Sequence, residues 1–334
     1  IMFYGAHHFA TGAMMQGALI SLVVFVIWNG RRHLALVFRK AIHGDPSIDD
    51  SGEMMSYRSA LVGFVICFSY LCAFQYAVGM SLAYVAVFMS GMLILFIGMT
   101  RIIIESGVIT LRAPQSPQDL SIFTLGTHGL TQANLIGIAM TGIWVGDLKT
   151  TIMPALAHST KLHQSIDHDR RKLLWSILVA MIVGVLATFV CTLYVRYTHG
   201  GLETQAFKAA PWDYLIAHSR QRSGPLWPAI QMTSIGIVVT AVLILLRYRY
   251  PLLPFHPVGF AAGPAYPVNY IVGSIFVTWT IKVGLQKFGG GKRIEAAKPF
   301  FIGLILGHFF GMLIGLGIDR IWFPIQGHSI PIAP

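Results

Sequence analysis

SLAYVAVFMSGMLILFIGMTRIII, residues 81–104, is the stretch that decides the fold. It carries no charge before Arg101. At about 1.5 Å per residue it makes a helix of roughly 36 Å, enough to cross a hydrocarbon core about 30 Å thick. The same criterion picks out residues 11–28, 60–79, 173–195, 228–246, 268–284 and 299–318. Residues 130–145 are an eighth, doubtful segment: Gln132, Asn134 and several glycines fit a short span, a broken helix or a re-entrant segment lined by protein. The expectation is therefore an all-α, polytopic transmembrane helix bundle of seven or eight spans.

Composition agrees. The chain has 334 residues, of which 55% are hydrophobic and only 11% charged, and ordinary soluble domains carry about 25% charged residues. Its excess of 24 Lys and Arg over 13 Asp and Glu lies mostly between apolar runs, where headgroup-facing charge belongs. No aromatic-basic module suggests nucleic acid. Cys67, Cys72 and Cys191 fall inside apolar runs without metal-ligand spacing and read as small buried hydrophobes. The chain starts at Ile1 with no signal-peptide pattern, so it is expected to be a piece of a longer protein whose preceding half is missing.

Several connections are readable. Gly79-Met80-Ser81 leaves room only for a tight helical hairpin between the second and third spans. Residues 31–43 mix Arg31, Arg32, His33, Arg39 and Lys40 with Leu34, Leu36, Val37, Phe38 and Ile42. That mixture fits a short amphipathic helix in the interface or, alternatively, a solvated basic loop. Residues 44–53 are a polar turn region. Most Lys and Arg fall on the side that holds residues 29–59, which places that loop in the cytoplasm whether or not residues 130–145 cross. Orientation after Val145 stays open.

Candidate functional residues are few. His308 sits near the middle of the last span, where an ionisable group is costly unless it faces the bundle interior or water. It reads as a proton-accepting or substrate-contacting group, or as a neutral histidine bonded to a neighbouring helix. Gly303, Gly307, Gly311 and Gly315 recur every fourth residue and form a ridge that admits a close partner helix. Arg101 and Glu105 are spaced to pair on one helical face, as a structural ion pair at the membrane edge or as a cavity-facing carboxylate that changes protonation. Asp147-Leu148-Lys149-Thr150 places charges two apart and marks a chain break, where transporters put binding groups. Pro254, Pro257, Pro264 and Pro267 mark a second irregular stretch, lining a cavity or forming an external loop. His158, His163 and His168 are five apart and share no helical face, which argues against a metal site. No nucleophile-elbow, P-loop, zincin or dinucleotide fingerprint occurs, so neither an enzyme nor a bound cofactor is expected.

Taken in order, Arg101-Ile102-Ile103-Ile104-Glu105-Ser106-Gly107-Val108, Asp147-Leu148-Lys149-Thr150 and Gly303-Leu304-Ile305-Leu306-Gly307 resemble the later half of the oligopeptide transporter superfamily. The closer similarity is to its uncharacterised bacterial relatives, which also show a stretch like Ser56-Tyr57-Arg58 before a span. This resemblance implies two related helical halves in a bacterial inner membrane and proton-driven secondary transport of peptides or metal chelates. Arg101, Glu105, Asp147 and Lys149 match family-like positions, whereas His308 stands where relatives carry an acidic residue. A membrane subunit that scaffolds a larger complex and transports nothing is the competing expectation.

Overall fold

The computed structural model describes residues 6–107, 111, 115–145, 152–163, 170–199, 216, 218–220, 222–250, 255–263 and 265–323. Among these residues there are helices and no strands. The chain divides into two units, Ile1–Ala265 and Tyr266–Pro334.

The first unit opens with α1, Ala6–His43. This single helix corrects the expected break after Trp28. No proline interrupts the segment, and its Arg, Lys, Leu and Ala are good helix formers, so the basic stretch simply extends the span. Arg31 stabilises the junction by donating from Nη1 to the Trp28 carbonyl at 2.8 Å while its guanidinium lies 4.4 Å above the Trp28 ring.

A polar turn leads to α2, Tyr57–Ala77, whose N-cap Ser56 accepts from the Ser59 amide. The Tyr57 ring meets His33 of α1 edge-on. The expected tight hairpin follows. Gly79 takes φ +105°, which lets the Met80 amide reach the Gln75 carbonyl, and α3, Leu82–Ser106, begins at once.

Helix α3 packs against α1, with Gly98 set against Leu19 and Val23. The next helix, α4, Pro117–Leu125, is fixed by a capping box in which Ser116 and Asp119 satisfy each other's amides and by Pro117 in the first turn. It runs back along α3: Gly91 faces Pro117 and Leu120, and the Tyr84 hydroxyl donates to the Gly126 carbonyl at 2.6 Å. Helix α5, Gln132–Val145, starts beside the α2–α3 turn, where Gly79 lies against Ala133, Gly137 against Met80, and Asn134 Oδ1 accepts from the Ser81 amide. At about 1.5 Å per residue, α4 and α5 are roughly 14 and 21 Å long, too short to cross alone. Helix α6, Ile152–His163, follows and touches the α1–α2 turn through Thr160 Oγ1 and Met54 Sδ at 3.4 Å. Residues 146–151, with Asp147 and Lys149, lie outside the described residues.

Helix α7, Arg170–His199, is exposed along its apolar length. Helix α8, Trp227–Arg249, packs on α1 backbone to backbone. The six-residue α9, Pro257–Ala262, buries Pro257, Val258, Ala261 and Ala262 in the first unit, while Pro254 and Pro264 lie outside the described residues.

The second unit holds α10, Tyr266–Trp322. The two spans expected at 268–284 and 299–318 are joined in one helical element, kinked at Gly290, and Pro299 is accommodated within it.

Six helices among the described residues are long and apolar enough to cross a membrane: Ala10–His43, Tyr57–Ala77, Leu82–Ser106, Lys172–Thr198, Trp227–Arg249 and Lys292–Trp322. The segments 130–145 and 268–284 are not among them.

Candidate functional site

The interior of the first unit is more polar than its spans suggest. Gln16, in the apolar middle of α1, is 0% exposed, and neither Nε2 nor Oε1 finds a hydrogen-bond partner. Thr100 on α3 and Thr240 on α8 are also buried with unpartnered hydroxyls, and α1 packs against both helices. Gln75 Nε2 on α2 is a further unpartnered buried donor. An unmade hydrogen bond of this kind costs about 1–3 kcal/mol, so each of these groups calls for a partner that the protein itself does not supply.

The α4–α5 pair carries the same character. Gln118, 4% exposed, donates from Nε2 to Thr141 Oγ1 at 2.8 Å, and Thr141 in turn donates to the Ile138 carbonyl. Gln118 Oε1 stays unpartnered. The turn between the two helices is held from a distant part of the chain. Thr127 exchanges bonds with Ser223, the Leu226 amide donates to the Phe123 carbonyl at 2.9 Å, and Arg222 donates to the Leu130 carbonyl at 2.9 Å. Gly126, at φ +77°, permits this because a Cβ there would stand 2.7 Å from the Gly224 carbonyl carbon. The irregular backbone of this turn is therefore covered by protein.

At the far end of α3 lies a charged group. Arg101 Nε donates to Glu105 Oε2 at 2.9 Å, the pairing that the spacing implied. A third member that the sequence reading missed is His256, whose Nε2 stands 3.8 Å from Glu105 Oε1. Its Nδ1 accepts the Val258 amide at 3.1 Å and caps α9. The signal was a polar residue directly before Pro257, the usual arrangement at a helix start.

The remaining candidates lie apart or outside. Asp147 and Lys149 are outside the described residues. His308 is exposed in the second unit, with its ring 6.1 Å from Phe309. Within the second unit a Cβ at Gly303, Gly307 or Gly311 would meet nothing within 4 Å. Of the three loop histidines, His158 is exposed on α6 and His168 lies outside the described residues. Among the described residues no group of His, Cys, Asp and Glu is arranged to hold a metal ion.

Six helices among the described residues, each long and apolar enough to cross a membrane, define a multi-pass α-helical membrane protein. The chain belongs to the Family of unknown function (DUF6785), which it matches over residues 3–331. No curated protein and no solved structure matches it.

Proposed function

We propose that this chain is a proton-coupled secondary active transporter of peptides or related small polar solutes, seated in a bacterial inner membrane. The observation that carries the proposal is Gln16, a carboxamide fully buried in a membrane-length helix with both polar atoms unpartnered. A lipid-facing or merely packed position would leave that cost unrelieved, whereas a solute path supplies partners during each cycle. The short α4–α5 pair adds support. It begins beside Gly91, part-way along α3, and turns beside the α2–α3 hairpin, so its open end lies part-way along a span, as the interrupted helices at transport sites do. In this reading 268–284 is the seventh span, residues 29–59 face the cytoplasm and no catalytic chemistry is assigned. The likeness of 101–108, 147–150 and 303–307 to the oligopeptide transporter superfamily points the same way and implies a related preceding half.

The alternative is a non-transporting scaffold subunit of a larger complex. It is favoured by the apolar windows of Lys172–Thr198 and Lys292–Trp322, of which 0% is buried. A ligand screen separates the two. The purified chain is heated with a panel of di- to tetrapeptides, and a bound solute raises its melting temperature by mass action. Stabilisation by at least one peptide, abolished by Gln16→Leu, is expected of a transporter. No stabilisation by any peptide, together with stable co-purifying partner subunits, would overturn the proposal.

A further inference from the structure

Glu105 joins two elements. Its Oε2 is held by Arg101 of α3, and its Oε1 faces the His256 ring at the start of α9. Because His256 Nδ1 accepts the Val258 amide, the neutral ring carries its proton on Nε2, directed at Glu105. The 3.8 Å separation is too long for a hydrogen bond but short enough for Coulomb attraction. Both side chains are about one-third exposed, at 34%, so water reaches them.

We propose that His256 and Glu105 form a proton-binding site in which one proton taken up at His256 Nδ1 uncaps α9 and exchanges its docked start for an ion pair with α3. A proton on Nδ1 sets two donors, that N–H and the Val258 N–H, against each other, so the cap is lost. The resulting imidazolium is drawn to Glu105 Oε1, which Arg101 leaves unbonded. Before uptake the three groups sum to zero charge, and afterwards to one positive charge.

Helix α9 packs against α1, α3 and α8. From α3 the facing charges are Glu105 and, behind it, Arg101. Arg31, Arg32, His33, Arg39, Lys40 and His43 of α1, and Arg247 and Arg249 of α8, make no ion pair with Glu105 among the described residues, so Arg101 and His256 are its charged neighbours there. The Gly259 and Phe260 amides donate to the His256 carbonyl and the Gly263 amide to Gly259, so these amides report whether α9 is formed. The transport reading gives this proton its purpose, but its binding is read without any flux.

The test is hydrogen exchange of the full chain in lipid nanodiscs, with protection at Gly259, Phe260 and Gly263 corrected for the intrinsic pH dependence of exchange. Between about pH 8 and pH 5, protection should fall roughly fivefold, the loss of one cap. His256→Asn, whose Oδ1 caps without titrating, should hold the high protection throughout, and His256→Ala should stay low throughout. Glu105→Gln should move the midpoint to lower pH by removing the charge that favours the imidazolium. A flat wild-type profile, a pH-dependent Asn variant, or an unmoved midpoint in Glu105→Gln would overturn the site. A chain that binds no solute yet shows this profile would overturn the transport reading alone.

Discussion

Gly17 of α1 and Gly236 of α8 meet at one crossing: a Cβ on the first would collide with the Thr233 carbonyl, and a Cβ on the second with the Met14 carbonyl. The two backbones touch because neither residue has a side chain, which is how membrane helices gain packing where lipid offers no hydrophobic drive. Gln16 sits beside this crossing, so the seam also fixes the height of the buried carboxamide. Gly17→Ala and Gly236→Ala should each destabilise the fold by about 1–3 kcal/mol, the range for overpacking, with more at stake because backbone cannot swing aside. Gly184→Ala on α7, where a Cβ meets nothing within 4 Å, should be neutral. Unfolding in mixed micelles with increasing denaturing detergent measures all three, and an unaffected Gly17→Ala would contradict the seam.

The bridge from Gln118 to Thr141 ties α4 to α5. Thr141→Val should cost about 1–3 kcal/mol, since the Gln118 amide would be left buried and unbonded. Gln118→Leu combined with Thr141→Val should recover part of that loss, because no orphaned donor remains. The same unfolding measurement reads the coupling, and strictly additive losses would show that the bond contributes nothing.

These two contacts mark what the sequence can and cannot disclose. The spans are legible because lipid demands about 20 apolar residues, and the hairpin at Gly79-Met80-Ser81 is legible because three residues leave no other path. Arg101 and Glu105 are legible because helical spacing is local. Residues 31–43 are helical, as one of the two readings had it, but continuous with the first span, because Asn29-Gly30 does not break α1. Helix α4 was missed although Ser116-Pro117-Gln118-Asp119 is a capping-box start. The pairings of Gln118 with Thr141, His256 with Glu105 and Ser223 with Thr127 depend on tertiary packing between distant segments, and no local pattern carries them.

In the polar turn after α1, the Asp45 carboxyl accepts the Ser47 hydroxyl at 2.7 Å and the Ser47 amide at 2.9 Å, and Arg39 stands 2.8 Å away. The Ser47 bonds first, and the Arg39 charge after them, hold it below the ordinary carboxylate range. A depressed value in the folded state means that the stabilisation is present above the unfolded value of about 3.9 and is lost as pH falls through the folded one. The turn should therefore keep its protease resistance from neutral pH down to about 4 and lose it in stronger acid. Asp45→Asn should lack that acid transition while staying folded, and an identical acid profile would rule out the assignment.

For Glu105 the sign of the outcome distinguishes a structural from a functional pair. Arg101 is about half exposed and Glu105 about one-third exposed, and water screens the pair, so Glu105→Gln should change stability by no more than about 1 kcal/mol. Solute uptake by the same variant should have its dependence on external pH displaced to lower pH. Uptake with a wild-type pH profile would remove Glu105 from coupling and leave the pair structural.

The most direct measurement of the central proposal is accumulation of a labelled peptide identified by the thermal screen, in vesicles containing only this protein, with a proton gradient imposed or collapsed. The account predicts accumulation above the external concentration with the gradient, mere equilibration without it, and loss of both in Gln16→Leu. Equal uptake by protein-free vesicles, or accumulation indifferent to the gradient, would contradict it.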